Sequence, residues 1–305
     1  MNRRWQAPLG ILVLGLVAAA PLWGQEPPAP PPLPQPVSLP SAGGVPPGLE
    51  LPARLDARRA SVPLPDPSLV VPDSLDRVES VFARAEQRYA GIHSYIVRFK
   101  RREMIGERAL PEDNLLFKFR KEPFSIYMKS LEGSPTTGRE LLYVRGRFNN
   151  QLQVRSGRFD ILPGMRLEMD LNSPRATMNS RRTLDEAGFG NMIGRFGKAI
   201  AAMKEGSQPT VTLGYIGSQA RPETPQSLEC VLQTLAPGKE KHLPQGGRRY
   251  WFFANEPKAA EYALPVLIVT LDDQDREVEY YFSDRICVNV NLGDRDFDPD
   301  LLWGN

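Results

Sequence analysis

The sequence predicts a mainly β (α+β) domain: a curved antiparallel half-open barrel with about two helices covering its concave face. Three observations carry this prediction. Apolar and polar residues alternate with period two in about ten separate segments after residue 94, the mark of a sheet with one buried and one wet face. Only two stretches show helical spacing. All of these segments fall within 73–305, a length that suits a single domain, and a sheet of that many strands curls on itself.

The chain opens with Arg3 and Arg4, followed by an uncharged apolar run from Pro8 to Ala20. This is the layout of a secretory signal over 1–24, too short for a span of about 20 apolar residues; an uncleaved anchor is the alternative. Residues 25–72 hold half of the 30 prolines and few aromatics. Such a stretch buries too little apolar surface to offset its ordering entropy, so a disordered, extended linker is expected. The folded domain is expected over 73–305.

Asp73 or Ser74 can cap a first helix. Leu75, Val78, Val81, Phe82, Ala85 and Tyr89 recur at helical spacing up to Gly91, which predicts a helix over 74–90. Strands follow, with Tyr95, Val97 and Phe99, then Leu115, Phe117 and Phe119, then Phe124, Ile126 and Met128 on alternate positions. Further strands are expected over 139–146, 148–156, 210–217, 227–235, 248–254, 264–271, 277–283 and 285–292, joined by short turns as antiparallel meanders require. The insert Asp160–Arg182 has no clear period and is expected to cover one mouth of the sheet. Thr183-Leu184-Asp185-Glu186 reads as a capping box opening a second helix that carries Phe189, Met192, Ile193, Phe196, Ile200 and Met203. Glycine inside a helix costs about 1 kcal/mol against alanine, so Gly188, Gly190 and Gly194 are expected to let the helix backbone approach the sheet.

The chain has 38 basic and 36 acidic residues, and removal of Arg3 and Arg4 with the signal leaves the two counts equal. A neutral protein has no long-range field to gather polyanions, so no nucleic acid partner is expected. The basic runs Lys100-Arg101-Arg102 and Lys118–Lys121 read as the wet face of a sheet. Histidine is scarce: His93 sits at a helix-to-strand junction and His242 in a polar loop, neither in a catalytic or zinc-binding spacing. The run Gly188–Gly194 lacks the preceding strand and following Lys-Ser or Lys-Thr of a phosphate loop. Asp272–Asp275 reads as a hairpin turn. The alternating Asp294, Asp296, Asp298 and Asp300 carry Pro299 where a calcium loop needs glycine. No catalytic residue, metal site or cofactor is therefore expected. Cys230 and Cys287 both fall in strand segments, and two readings stand: a disulfide, which persists in exported proteins, or two free thiols of the core.

Several pieces, in order, resemble a bacterial family known as domain of unknown function 1571: Phe117-Lys118-Phe119 followed by Pro123; Gly138-Arg139-Glu140 with Leu142-Tyr143-Val144; Asn179-Ser180-Arg181; Gly188; Leu264-Pro265-Val266; Glu279-Tyr280-Tyr281-Phe282; Asn289; and Asp296-Phe297-Asp298. Where that family usually has Arg-His-Pro, this chain has Arg181-Arg182-Thr183. The family in turn resembles periplasmic outer-membrane lipoprotein carriers. That resemblance implies an unclosed half-barrel with helices in its concavity and a hollow for acyl chains.

The leading expectation is a non-enzymatic, exported envelope protein that holds an apolar ligand, a lipid or a lipidated protein in the hollow. Phe117, Phe119, Phe124, Ile126, Leu142, Val144, Met165 and Met169 are the expected lining, methionine being adaptable to varied apolar partners. The alternatives are a structural protein that binds another envelope protein through its surface, and a hydrolase with a scattered site.

Overall fold

The computed structural model describes residues 63–205 and 211–304. The expected signal and most of the expected linker lie outside the described residues. In chain order the elements are α1 (Leu75–Ala90), β1 (Ser94–Ile105), β2 (Arg108–Ala109), β3 (Asp113–Arg120), β4 (Ser125–Ser130), β5 (Glu140–Val144), β6 (Leu152–Arg155), β7 (Arg166–Met169), α2 (Pro174–Thr177), α3 (Phe189–Glu205), β8 (Val211–Arg221), β9 (Thr224–Leu235), β10 (Gly247–Ala254), β11 (Pro265–Asp272), β12 (Glu277–Val288) and α4 (Pro299–Trp303).

The strands form one antiparallel sheet in the order β7-β6-β5-β4-β3-β1-β12-β11-β10-β9-β8, with β2 paired only to β1. Two meanders, β3 to β7 and β8 to β12, meet where β1 pairs β12. The sheet does not close, because its terminal strands β7 and β8 do not pair. The half-barrel expected from the sequence is thus the observed fold. The expected strands at 277–283 and 285–292 are one strand, β12, which carries a positive φ of 51° at Arg285. Strand β7 lies inside the insert that showed no period: four residues alternating between exposed and half-buried are too few to register as a pattern.

Helix α1 begins one residue after Ser74, whose Oγ accepts from the Tyr215 amide at 2.9 Å. The folded unit reaches back before the expected start at Asp73. The Val71 amide donates to the Tyr215 carbonyl at 2.9 Å, and Arg221 Nη1 donates to the Pro63 carbonyl at 3.0 Å. Residues 63–72 therefore run along β8.

Helix α3 starts at Phe189, later than the capping box suggested. The box is real, but it closes a separate 3-10 turn, Leu184–Glu186. Gly188 follows with a φ of +99° and lies against the Tyr95 hydroxyl, a conformation and an approach that a side chain would disturb. The Phe189 amide then donates to that hydroxyl at 3.0 Å.

Gly188 makes the expected approach to the sheet, but the glycines inside the helix serve a different contact. A Cβ at Gly197 would stand 2.6 Å from Phe82 Cζ, and one at Gly190 2.6 Å from Tyr89 Cζ. Both aromatic rings belong to α1, so these glycines let the two helices close on each other rather than on the sheet. Gly194 faces open space. Gly194→Ala should therefore stabilise the protein by about 0.5–1 kcal/mol through helix propensity. Gly197→Ala should destabilise it, since overpacking costs about 1–3 kcal/mol. Thermal unfolding should rank Gly194→Ala above wild type and Gly197→Ala below it; the reverse order would refute the close-approach reading.

The two cysteines are free, Cys230 buried in β9 and Cys287 exposed in β12. Strands β10 and β11 stand between them. At about 4.8 Å per strand step the separation is about 14 Å, too far for a bridge. Of the two readings, free thiols hold, although only Cys230 belongs to the core.

The convex face carries its own apolar cluster. Tyr127, Leu142 and Val144 pack against Phe297 and the C-terminal segment, with Leu292, Leu302 and Trp303 at its edge. The C-terminal aspartates are engaged there. Asp294 pairs with Arg120 at 2.8 Å, Asp296 with Lys118 at 3.0 Å and Asp300 with Arg166 at 2.8 Å, while Asp298 accepts from the Asp300 and Leu301 amides and caps α4.

Candidate functional site: the hollow beneath the third helix

The concave face follows from strand parity. On β1 the residues Tyr95, Val97, Phe99, Arg101 and Glu103 point inward, and on β3 Asp113, Leu115 and Phe117 do. The register aligns the two sets directly: Val97 opposes Phe117 and Phe99 opposes Leu115. Leu141 of β5 and Val154 of β6 continue the surface as a cross-strand pair. Helix α3 lies over part of this face and buries Phe189, Met192, Ile193, Phe196, Ala199 and Ile200.

Helix and sheet do not close completely. Between them is a cavity of about 600 Å³, within the roughly 300–1,000 Å³ typical of small-molecule sites. Its wall is mostly apolar along β1, β3, β4, β5, β6 and β7. The insert after β6 forms its rim, as expected. Ile161, Leu162, Met165 and Met178 border the cavity and are exposed, Ile161 at 98%. Neighbouring Phe159 is exposed as well.

The eight lining residues expected from the sequence divide four ways. Phe117, Met165 and Met169 border the cavity. Phe119 and Phe124 instead face a separate, smaller recess with Tyr89 and Gly190, and their rings pack edge to face at 5.5 Å. Ile126 is fully buried in the main core. Leu142 and Val144 are a correction: they lie on the convex face under Phe297. Their strand is apolar on both faces, so its alternation does not say which face is inward, and a one-residue shift in parity exchanges the two. Leu141 and Tyr143 take the concave side, opposite Met128 and Ile126.

At the β12 end the cavity meets a charged network, which sequence reading missed. Glu279 is fully buried and accepts from Arg182 at 3.0 Å, from Arg249 at 3.2 Å and from Thr270 Oγ1 at 2.7 Å. Arg249 also holds Glu240 through two bonds of 2.7 and 2.8 Å. Arg181 lies 3.9 Å from Glu279 and donates to the backbone carbonyls of Met104, Val278 and His242. Arg101 pairs with Asp113 at 2.7 Å and lies 3.7 Å from Glu103, which accepts from the Tyr281 hydroxyl. Burial by itself would raise the Glu279 carboxyl, but Arg249, Arg182, Arg195 and Arg181 outweigh it and hold the group well below its usual range. Burial pushes the Tyr281 hydroxyl well up. Arg182 occupies the position where the resembled family usually has histidine, and it lines the cavity.

Arg195 of α3 also lines the cavity, at the same end. Its guanidinium carbon lies 5.7 Å from the centre of the Trp251 ring. Its Nε and Nη1 are sealed from solvent without a hydrogen-bond partner among the described residues. The sequence signal was available: Arg195 stands three residues after Met192 and four before Ala199, on a helix face otherwise apolar.

The sequence pattern of the family described as "Protein of unknown function (DUF1571)" matches residues 92–301. No curated protein matches the chain. Several solved structures are similar at low identity. The lipoprotein LppX of Mycobacterium tuberculosis shares 10% identity, with 73% of this chain and 99% of that one covered and a TM-score of 0.40. A putative outer membrane lipoprotein-sorting protein domain from Vibrio parahaemolyticus shares 10%, covering 74% and 99% with a TM-score of 0.38. MucB, in the MucA/MucB complex of Pseudomonas aeruginosa, shares 12%, covering 74% of this chain and 60% of that one with a TM-score of 0.39.

Proposed function

We propose that this chain, which belongs to the DUF1571 family, is a non-enzymatic envelope protein that binds an apolar ligand in the hollow of its half-barrel. The observation that carries the reading is the cavity of about 600 Å³ whose wall is built from inward apolar side chains of six strands. A void of that size with apolar walls forfeits packing contacts that a dense core would make, and an apolar chain entering it recovers them. The ligand class is a lipid, or the acyl chain of a lipidated protein. The rim supports the same reading, because exposed Ile161, Leu162 and Met178 would give such a chain an apolar path inward. Export rests on the signal-like residues 1–24. Among the described residues no helix is long and apolar enough to cross a membrane.

The exposed apolar loop also favours a second reading, in which another envelope protein docks there. One experiment separates the two. The protein is purified from its host envelope, weighed by native mass spectrometry and extracted with solvent. Stoichiometric lipid supports the carrier reading; an apo mass that takes up no added lipid refutes it and leaves protein docking. Leu141→Trp supplies a structural control, since an indole at this half-buried inward position fills part of the void. Its lipid uptake should fall by about tenfold or more, the equivalent of roughly 1.4 kcal/mol, with folding retained. Unchanged uptake would place the ligand elsewhere.

A further inference from the structure

The cavity has one end that apolar packing does not explain. Five guanidiniums gather there, those of Arg101, Arg181, Arg182, Arg195 and Arg249. The carboxylates among them are four, those of Glu103, Asp113, Glu240 and Glu279. The count leaves one positive charge without a counter-charge, and the geometry identifies its owner. Arg249, Arg182, Arg181 and Arg101 each lie within 4 Å of at least one of these carboxylates. Among the described residues Arg195 has no such partner, and its Nε and Nη1 are buried with no acceptor. Arg182 Nε is likewise buried without an acceptor. The Trp251 ring offers Arg195 only its π face. A half-buried guanidinium with two sealed, unpartnered donors is costly unless an acceptor joins it.

Its position in the hollow specifies what kind of anion. The exposed rim residues Ile161, Leu162 and Met165 belong to the segment joining β6 to β7, while Met178 follows α2 and leads into Asn179–Arg182. Arg195 lies at the other end of the cavity, with Tyr281 and Ser283 of β12 in the wall beside it. Between β7 and β12 the sheet runs through β6, β5, β4, β3 and β1, a path of about 29 Å along the sheet at about 4.8 Å per step. The intervening wall presents Val154, Leu141, Met128, Leu115 and Val97. A free inorganic anion would use the charged end and leave this wall bare. An extended molecule with an apolar chain and one anionic end would use both.

We infer that the hollow selects an amphiphile with an anionic head, a carboxylate or a phosphate, which pairs with Arg195 and Arg182 while its single apolar chain lies along the concave wall. This inference rests on the apolar-ligand reading proposed above and narrows it. A guanidinium presents its donors in a plane that suits carboxylate and phosphate oxygens, and a buried charged hydrogen bond adds selectivity that an apolar wall does not have.

The test compares oleate, oleyl phosphate, methyl oleate and inorganic phosphate on the full-length protein, by displacement of a fluorescent fatty-acid probe. Oleate or oleyl phosphate should bind about tenfold to a hundredfold tighter than methyl oleate, and whichever of the two binds tighter identifies the head as carboxylate or phosphate. In Arg195→Met the preference should collapse to about twofold or less, with methyl oleate affinity retained. Wild-type protein that binds oleate and methyl oleate equally would overturn the inference while the apolar-ligand reading stands. Inorganic phosphate that displaces the probe as well as oleyl phosphate does would overturn it in favour of a free-anion site. Protein that binds none of the lipids would overturn the apolar-ligand reading, and this inference with it.

Discussion

Glu279→Gln should unfold at a much lower urea concentration than wild type at neutral pH, with a loss of about 3–5 kcal/mol, the usual cost of removing one partner from a buried charged network. The carboxylate is fully buried and accepts from Arg182, Arg249 and Thr270. Its loss leaves Arg181 and Arg182 with no carboxylate of their own, and Arg249 with Glu240 alone. The amide fills the same space, so the effect reports charge and not a cavity. The acid limb of the stability profile provides an independent check. A carboxyl held well below its usual 4.5 contributes stability that is complete above that value and drains away as pH falls towards the folded-state value. Wild type should therefore lose stability as pH falls below about 4.5, and Glu279→Gln should lose less over the same range. A variant with the wild-type midpoint and the wild-type acid limb would show that Glu279 does not hold the network together.

The legibility of this chain follows the strength of each physical signal. The half-barrel was readable because period-two alternation recurs in segment after segment and only α1 and α3 compete with it. Strand order and the meeting of β1 with β12 were not readable, since pairing across nearly 190 residues leaves no local mark. Inward and outward faces were readable on β1 and β3, whose convex positions Arg98, Lys100, Lys118 and Arg120 are charged. On β5 they were not, because Leu142 and Val144 are covered by Phe297 and the outer face is apolar too. The capping box at Thr183 was correctly seen and wrongly extended, since nothing in it shows that Gly188 turns the chain before α3 begins. The cysteines stayed open between two readings for a similar reason: two strand residues look alike in sequence whether their strands adjoin or are three steps apart. The charged end of the hollow combines residues from β1, β3, β10, β12, α3 and two loops, so no spacing could announce it. Only Arg195, a charge on an apolar helix face, left a sign.

Arg195→Met should make the ligand-free protein more stable, not less. Burial, with Arg182 and Arg249 nearby adding to it, pulls the Arg195 guanidinium down to about 10. For a base with a depressed folded value the sign is adverse: the unfolded chain holds the proton more tightly, so the penalty is complete below about pH 10 and fades only as pH rises above it. At neutral pH the depression corresponds to about 3 kcal/mol. The contact with Trp251 returns about 1 kcal/mol, so the net gain expected from methionine, which fills much of the same volume, is about 2 kcal/mol. For a domain of this size that raises the midpoint of thermal unfolding by about 4–8 °C. Oleate should then narrow the gap, because a ligand that binds only the folded state stabilises it in proportion to its occupancy, and wild type binds oleate more tightly than the variant does. A midpoint that falls in Arg195→Met would mean the arginine is compensated within the fold. A midpoint that rises, with the gap closing as oleate is added, would mean that the protein keeps a destabilising charge in its wall and that the ligand supplies the counter-charge the fold lacks.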